Sequence, residues 1–338
     1  MIDLRSDTVT KPTPGMLDAM FSAKVGDDVF QEDEGINELQ EYSASLFGHE
    51  AGLFCPSGTM TNQIAVNVHT QPGDELICSD LCHIYNYEGG GVARNSGVQV
   101  KLVSHPKGLI YASDIAYKVN PPDSHYANTS LVSLEDTVNK AGGVCYDLKE
   151  IKRIKTECAT HGLSLHLDGA RVFNALVESG EDLLDYGSQF DSISICLSKG
   201  LGSPSGSVLL GSKEFISKAH RVRKAMGGGM RQAGYFAAAG TFALKHQVKR
   251  LKEDHQRARQ IATLLEKTAH VTAVTPPETN IIIFDVDEAY GVEPFLAQLR
   301  AKGVYALPFS KTKIRFVTHL HITDSDAAEL EKILKHLS

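Results

Sequence analysis

The sequence lacks the features that mark a membrane or secreted protein. No apolar run reaches the roughly 18 residues needed to span a bilayer, and residues 1–7 carry no apolar signal core. The 6 cysteines form no CxxC motif and no metal-ligand spacing with a nearby histidine, a pattern typical of buried thiols in a reducing compartment. We therefore expect a cytoplasmic protein with no metal and no membrane partner.

Charge of one sign is nowhere concentrated. The 338 residues include 34 lysines and arginines against 41 aspartates and glutamates, a formal net charge of −7 with no block of like charges. A nucleic-acid partner would require a basic surface, so none is expected. The chain also has no internal repeat and no linker-like tract. The predicted partners are small molecules.

Hydrophobic residues make up 42% of the chain and charged residues 22%, the balance of an ordinary globular protein. Strand-like and helical segments alternate up to residue 210, which predicts an α/β fold with a mostly parallel, doubly wound sheet. Helices are predicted at 38–47, 59–69 and 148–161. Strands are predicted at 51–55, 75–78, 98–103, 130–134, 164–167, 192–197 and 207–210.

The pattern changes in the last third of the chain. Long helices at 231–245 and 248–268 are followed by strands at 281–286, 304–307 and 313–317, with helices at 294–302 and 324–337. This order is typical of a small α+β domain. A chain of this length exceeds the usual single core, so we predict a large domain at 1–249, including the N-terminal arm, and a small C-terminal domain at 250–338.

Lys199 is the first residue that indicates chemistry. It follows the strand predicted at 192–197 and precedes a glycine-rich turn, at the edge where α/β sheets place ligands. Partial burial lowers the pKa of an ammonium group and prepares it for Schiff-base formation. On this segment alone, a surface lysine in a glycine-rich loop is the favoured interpretation.

Two further sites change the interpretation of Lys199. Asp168 ends the strand predicted at 164–167, where a carboxylate could keep a pyridine nitrogen protonated, although a helix-capping aspartate would look the same. Ser57, Gly58 and Thr59 begin a helix whose free N–H groups suit a phosphate, although a plain capped helix fits them as well. Together the three sites supply the phosphate, ring-nitrogen and amine contacts of pyridoxal 5'-phosphate in the expected order.

The chain resembles the low-specificity L-threonine aldolases, a family of fold-type I enzymes that depend on pyridoxal phosphate. The resemblance runs almost from end to end. Its segments are IDLRSDTVTKPT (2–13), VGDDVF (25–30), PSGTMTNQIA (56–65), HIYNYE (83–88), LHLDGARVFNA (165–175), SICLSKGLGSPSGS (194–207), GGGMRQAG (227–234) and RFVTHL (315–320). Asp136 and Val138 stand where the family has asparagine and histidine, and Ser205 stands where valine is more usual. These departures leave the substrate preference open, but not the type of reaction.

The resemblance assigns roles to two histidines. His83 matches the family histidine that stacks on the cofactor ring, and His125 matches a neighbour of the substrate hydroxyl. An imidazole titrates near pH 6.5, so either one could accept the hydroxyl proton, directly or through water. A histidine without such a resemblance is more often structural.

The resemblance also implies the cationic contacts. Arg315 matches the arginine that binds the substrate carboxylate, with Arg171 and Ser6 as further carboxylate contacts. Without the resemblance, an arginine between two apolar strand residues would be expected at a strand position that faces solvent. Lys224 and Arg231 look like cations that reach the cofactor phosphate or the site of a neighbouring subunit.

The implied activity is cleavage of L-threonine or L-allo-threonine to glycine and acetaldehyde by a homotetramer or homodimer that binds pyridoxal phosphate. The activity of another pyridoxal-phosphate β-lyase or of an aminotransferase is an alternative, because the same cofactor-binding residues serve those reactions. A regulatory pyridoxal-phosphate-binding domain is disfavoured, since no basic helix-turn-helix segment accompanies it. A dinucleotide-binding dehydrogenase is also disfavoured, because no GxGxxG motif follows an early strand and residues 89–91 have the wrong pattern.

Overall fold

The computed structural model describes residues 1–337, and its secondary structure alternates between strands and helices as far as β7. The strands are β1 (Ile2–Asp3), β2 (Ala51–Cys55), β3 (Glu75–Ser79), β4 (Gln99–Val103), β5 (Thr129–Glu135), β6 (Ser164–Gly169), β7 (Ser192–Cys196), β8 (Ser207–Gly211), β9 (Val271–Thr275), β10 (Ile281–Val286), β11 (Val304–Tyr305), β12 (Leu307–Pro308) and β13 (Lys313–Val317). The α-helices are α1 (Pro14–Phe21), α2 (Glu34–Phe47), α3 (Gly58–His69), α4 (His83–Asn86), α5 (Ala112–Lys118), α6 (Leu148–Thr160), α7 (Val172–Ser179), α8 (Leu183–Gly187), α9 (Lys213–Ala225), α10 (Gly234–His246), α11 (Leu251–Leu265), α12 (Val292–Ala301) and α13 (Asp324–Lys335).

A seven-stranded sheet forms the centre of the fold, in the order β2-β8-β7-β6-β5-β3-β4. Strands β7, β6, β5, β3 and β4 are parallel, whereas β8 is antiparallel to both of its neighbours. Every residue of β3, β7 and β8 is buried, as expected for central strands that are covered on both faces of the sheet. The predicted α/β fold with a mostly parallel sheet is confirmed, and its five parallel strands end at one common edge.

A second, smaller core lies in the C-terminal part of the chain. Here β12, β13, β10 and β9 form an antiparallel sheet, and α11, α12 and α13 supply the helical side of the core. The N-terminal arm joins this core, because β1 pairs with β11 and buries Ile2 and Leu4 in it. The predicted boundary near residue 250 stays a prediction. Within residues 1–337, no helix combines the length and apolar character needed to cross a membrane.

Several elements match the pattern-based prediction closely, and others do not, of which three are instructive. The strand predicted at 304–307 is two short strands, because β11 pairs with β1 and β12 pairs with β13 in a different sheet. Helix α9 was missed because its sequence is mostly polar and few of its residues are buried. Strand β9 was missed because it is a short edge strand with no fully buried residue.

Asp136 is a buried carboxyl at the end of the central sheet, directly after β5. It is 1% exposed and accepts a hydrogen bond of 2.7 Å from the hydroxyl of Tyr186. Burial raises the pKa of Asp136 to about 7, and the bond from Tyr186 offsets this effect only in part. Because the unfolded carboxyl titrates near pH 4, the folded protein binds more protons between about pH 4 and 7, and its stability falls as the pH rises through that window.

The variant Asp136→Asn should therefore be more stable than the parent at pH 8. The amide is neutral and its oxygen can still accept the Tyr186 hydroxyl, so the gain in unfolding free energy should be about 2–4 kcal/mol, shrinking toward pH 4. Urea unfolding at several pH values measures it. The exposed carboxylate variant Asp18→Asn is the control. A difference between parent and Asp136→Asn that does not depend on pH would contradict the buried, proton-binding state of Asp136.

Candidate active site

A cavity of about 400 Å³ opens where the parallel strands end. It brings together five residues that were predicted from the sequence to act together: Ser6, His83, Arg171, Lys199 and Arg315. They come from the N-terminal arm, from three loops of the large sheet and from β13 of the small sheet. The other lining residues are Thr8, Tyr87, Asn139, Leu307, Pro308 and Phe309.

Lys199 lies three residues beyond the end of β7, on the turn that returns the chain to β8. Its carbonyl oxygen accepts hydrogen bonds of 2.9 Å from both the Thr10 hydroxyl and the Gly202 N–H, which fix the turn. Gly202 has a φ of +80°, and a Cβ there would lie 2.5 Å from the Leu320 side chain. The half-buried Lys199 amine has no ion pair within residues 1–337, so its nitrogen is available to react.

Asp168 lies in β6, beside Glu135 of β5 in the strand register. It is 2% exposed, and its two carboxylate oxygens accept hydrogen bonds from Asn62 Nδ2 at 2.8 Å and from the Ala170 N–H at 3.2 Å. The helix-capping interpretation of Asp168 is wrong, because α7 begins at Val172 with no side-chain cap. Asp168 is instead a buried acid oriented by an amide from α3.

His83 begins α4 and is tied to a buried glutamate. Its Nδ1 lies 2.8 Å from Glu88 Oε1, and Glu88 also accepts hydrogen bonds from Asn62 (2.8 Å) and Gln63 (2.6 Å). One imidazole nitrogen of His83 and one carboxylate oxygen from each of Glu88 and Asp168 lie within 4.8 Å of one another. Burial lowers the pKa of His83, but the hydrogen bond with Glu88 and the charges of Asp168 and Glu88 outweigh it, and the pKa is raised.

Arg171 is partly occupied by a partner from the N-terminal arm. Its Nε and Nη2 each donate a hydrogen bond of 2.7 Å to the carboxylate of Asp7, and both side chains are buried. Burial alone would raise the pKa of Asp7, but the Arg171 guanidinium lowers it to about 2. The pair is therefore ionic, and only the remaining donors of Arg171 can serve a ligand.

Arg315 reaches the cavity from β13 and is not the solvent-facing strand arginine that its neighbours alone would suggest. Its Nη1 donates to Asn139 Oδ1 at 2.9 Å and its Nη2 to the Arg5 carbonyl at 3.2 Å. Its Nε is buried and has no hydrogen-bond partner within residues 1–337. Arg315 thus lines the cavity and has one buried donor without a partner.

His125 is not brought to this cavity. Its side chain is 85% exposed, and its Nδ1 lies 2.7 Å from Asp123 Oδ1 on the loop between α5 and β5. The same carboxylate accepts the His125 N–H, so the loop is organised by local polar contacts rather than by packing. The predicted contact between His125 and the substrate hydroxyl is therefore not formed within one chain and stays a prediction.

The proposed phosphate contacts also lie outside the cavity lining. Ser57 caps α3 by accepting the Met60 N–H at 3.2 Å, and Gly58 and Thr59 form the first turn of that helix. This turn lies over β7, because Thr61 Oγ1 is 2.5 Å from Ser194 Oγ. The helix-capping interpretation is correct for Ser57, and it leaves phosphate binding by this turn as a prediction.

Lys224 and Arg231 do not line the cavity either. Arg231 forms a 2.8 Å ion pair with Asp27 and is 54% exposed, and Lys224 is exposed at the end of α9. The glycine-rich segment between them packs on the first turn of α3, since a Cβ on Gly228 would meet the sulfur of Met60 at 2.3 Å. Their predicted role as phosphate contacts stays a prediction.

Sequence reasoning missed residues that complete the site. Glu88 and Tyr87 belong to the family-like segment 83–88, and Asn139 ends the stretch 134–139 that departs from the family, so both segments contained a usable signal. Residues 307–309, which form the small-domain wall of the cavity, had none, because a short apolar stretch does not show which cavity it faces.

Comparison with known proteins agrees with this geometry. The model of the beta-eliminating lyase family matches residues 3–289. The low specificity L-threonine aldolase of Escherichia coli (strain K12) is 41% identical over 331 residues, which cover 98% of this chain and 97% of that protein. Low-specificity L-threonine aldolase 1 of Arabidopsis thaliana is 40% identical and covers 96% and 93%. The solved threonine aldolase of Leishmania major shares the fold, with a TM-score of 0.86, 20% identity and 99% of each chain covered.

The fold and the cavity define a lyase that keeps a lysine at the carboxyl edge of a parallel sheet, in agreement with the matching family model. The extent of the similarity to curated relatives is sufficient for a narrower assignment. The chain belongs to the low-specificity L-threonine aldolase family.

The contact between Glu88 and His83 can be tested by titration. In Glu88→Gln the hydrogen bond can persist but the negative charge is lost, so burial should dominate and the pKa of His83 should fall below that of the parent. Histidine-labelled NMR titration measures it, with His83→Phe for assignment.

The matched control is Glu157→Gln, which removes a carboxylate from a surface pair with His161. This variant should leave the titration of His83 unchanged. An unaltered His83 pKa in Glu88→Gln would contradict the electrostatic role of Glu88.

Proposed function

We propose that the protein binds pyridoxal 5'-phosphate in the cavity around Lys199 and cleaves L-threonine or L-allo-threonine to glycine and acetaldehyde. The observation that carries the proposal is the convergence of an unpaired lysine, a buried acid and two arginines on one edge of the sheet. An amino-acid substrate requires such a combination, because its carboxylate and its amine must be bound by different groups.

The residues present fit this cofactor. Lys199 would hold it covalently, Asp168 would face the ring nitrogen and His83 would pack on the ring. The first turn of α3, with Ser57, Gly58 and Thr59, would bind the phosphate, as would the cations Lys224 and Arg231 from this chain or a neighbouring one. When bound, pyridoxal phosphate supplies an electron sink for the electron pair released as the Cα–Cβ bond breaks.

The substrate carboxylate fits the arginine side of the cavity. Arg315 has a buried Nε with no partner within residues 1–337, and its guanidinium is already oriented by Asn139. Arg171 is fixed by Asp7 and can add one of its remaining donors, and the Ser6 hydroxyl lines the same wall. Fixing the carboxylate fixes which substituent of Cα points away from the ring face, which is a condition for cleaving one bond rather than another.

A base must remove the hydroxyl proton, and His83 is suited to this. Its Nδ1 is held by Glu88, which leaves Nε2 as the nitrogen that can accept a proton. The raised pKa of His83 means that an accepted proton is stabilised by the neighbouring carboxylates. His125 is the second candidate, and the hydroxyl contact predicted for it requires that the loop containing His125 reach a cavity, in its own chain or in another copy.

Assembly and location belong to the same proposal. We infer a homodimer or homotetramer, which is supported by two large apolar side chains, Phe21 and Phe30, that are 85% and 70% exposed in the single chain. A cytoplasmic location is inferred from the scattered, unpaired cysteines.

The variant Lys199→Ala tests the proposal at its centre. We expect a folded protein without the visible absorbance band that borohydride abolishes in the parent, and with essentially no cleavage of threonine, because the amine that holds the cofactor is gone. Absorbance spectra and an acetaldehyde assay measure both effects. Lys218→Ala, which removes a surface lysine paired with Glu214, is the control.

Turnover near the parent level in Lys199→Ala would refute the assignment of Lys199. The products formed by the parent separate the alternatives. Acetaldehyde and glycine support aldol cleavage, whereas ammonia and a keto acid would identify a β-eliminating lyase or an aminotransferase instead.

The roles of the two histidines differ in what they predict for substrate configuration. His125→Phe should change the ratio of kcat/KM for L-threonine to that for L-allo-threonine by roughly 5- to 150-fold, because a lost hydrogen bond to the hydroxyl affects one configuration more than the other. His83→Phe should lower both values and leave the ratio nearly constant, because its ring contact and its acceptance of the hydroxyl proton, directly or through water, serve both configurations alike.

The ratio is the measurement of choice, since it cancels differences in cofactor loading. An unchanged ratio in His125→Phe, or an equal change in both variants, would remove the hydroxyl contact from His125.

A further inference from the structure

Glu135 is a buried carboxylate that contacts two loops of the active site. It ends β5 and is 5% exposed. Its Oε2 accepts the backbone N–H of His83 at 2.6 Å, and its Oε1 accepts the backbone N–H of Asn139 at 3.0 Å. The first N–H begins α4 after β3, and the second begins the short turn after β5. One side chain therefore fixes the starting points of two separate loops.

Each of these loops carries a group that faces the cavity. The loop after β3 presents the imidazole of His83, which Glu88 orients from the other side. The turn after β5 presents Asn139, whose side-chain oxygen accepts a 2.9 Å hydrogen bond from Arg315 Nη1. A displacement of either backbone N–H would thus displace a residue that binds cofactor or substrate. The two loops also contact each other directly, because Lys140 Nζ donates a 3.2 Å hydrogen bond to Asn86 Oδ1, but Glu135 is the side chain that binds a backbone N–H of each.

The chemistry of the two contacts requires a carboxylate. Both partners are N–H donors, so both ends of the side chain must accept, and a glutamine offers one accepting end and one donating end. A leucine or methionine would leave both N–H groups without this acceptor. The carboxylate is also costly, because it is buried next to Asp168, and burial together with that neighbouring charge raises the pKa of Glu135 to about 7. A merely structural position would be filled at lower cost by a neutral side chain.

We propose that Glu135 is a positioning residue that sets His83 and, through Asn139, Arg315 in their places in the lining of the cavity. The inference rests on the proposed function, since it assigns the loop that contains His83 to the cofactor and the turn that contains Asn139 to the substrate. Glu135 itself touches neither. Its effect on the reaction is transmitted by two backbone hydrogen bonds.

The test compares Glu135→Gln with Glu75→Gln. Glu75 is an equally buried carboxylate at the opposite end of β3, where it accepts hydrogen bonds from Gln99 and Asn120 and pairs with Lys101. Its loss removes a buried charge without touching the cavity. Hydrogen–deuterium exchange of the full-length protein, with and without pyridoxal phosphate, reports the two N–H groups directly and does not depend on activity.

In Glu135→Gln we expect faster exchange in both segments 81–88 and 136–142. We also expect weaker binding of pyridoxal phosphate and a rise in KM for threonine of about tenfold, with a smaller effect on kcat. Glu75→Gln should change none of these, whatever it does to the unfolding midpoint. Asn139→Ala should raise KM and leave the exchange of 81–88 unchanged.

The effects of the Glu135 and Asn139 substitutions on KM should also be coupled. In the double variant Glu135→Gln with Asn139→Ala, the additional rise in KM should be much smaller than that of Asn139→Ala alone, because Asn139 is already displaced. If Glu135→Gln does not fold, Glu135→Asp replaces it, since the shorter carboxylate keeps the charge and cannot reach both N–H groups.

Exchange and KM that match those of Glu75→Gln, or a change confined to one segment, would overturn the positioning role. Full additivity in the double variant would do the same. A parent protein with no cofactor band and no aldehyde product would instead refute the proposed function, and the exchange measurement would still decide whether Glu135 holds the two loops.

Discussion

The structure of the site depends on the parallel pairing of β5 with β6, which places Glu135 directly beside Asp168. Two carboxylates in a buried position repel each other and lose hydration, so each must be surrounded by donors. Asn62 and the Ala170 N–H surround Asp168, and the N–H groups of two loops surround Glu135. The demand of this pair for hydrogen bonds is what draws α3, the loop after β3 and the turn after β5 to one edge of the sheet.

An ion pair between the N-terminal arm and the loop after β6 also borders the cavity. Asp7 comes from the N-terminal arm and binds Arg171, which lies beyond β6, and the amide of Asn280 lies 3.4 Å from the same carboxylate. The arm, the large sheet and the small sheet therefore meet at one buried carboxylate. Because β1 pairs with β11 in the small core, the segment from Ser6 to Thr8 is held at the mouth of the cavity from both ends.

The strands and the anchor residues on them could be predicted because their signals are local. A short strand such as β7, with isoleucines at alternate positions, is recognisable by itself, and Lys199 follows three residues after it. Prediction from the sequence failed where the packing of an element differs from what its composition suggests. Helix α9 is mostly polar in sequence but buries Arg223, whose guanidinium donates to the Phe54 carbonyl and pairs with Asp28.

The sequence by itself determined the α/β fold, the order in which the turn at 57–59, Asp168 and Lys199 occur, and the family to which the chain belongs, because each of these is recognised from short local segments taken in order along the chain. Only the tertiary structure decided that Arg171 is already bound by Asp7, that Glu135 joins His83 to Asn139, and that His125 lies on an exposed loop. These are contacts between distant segments or properties of loop paths. They are fixed by strand register and by which buried groups need partners, and neither leaves a pattern in the local sequence.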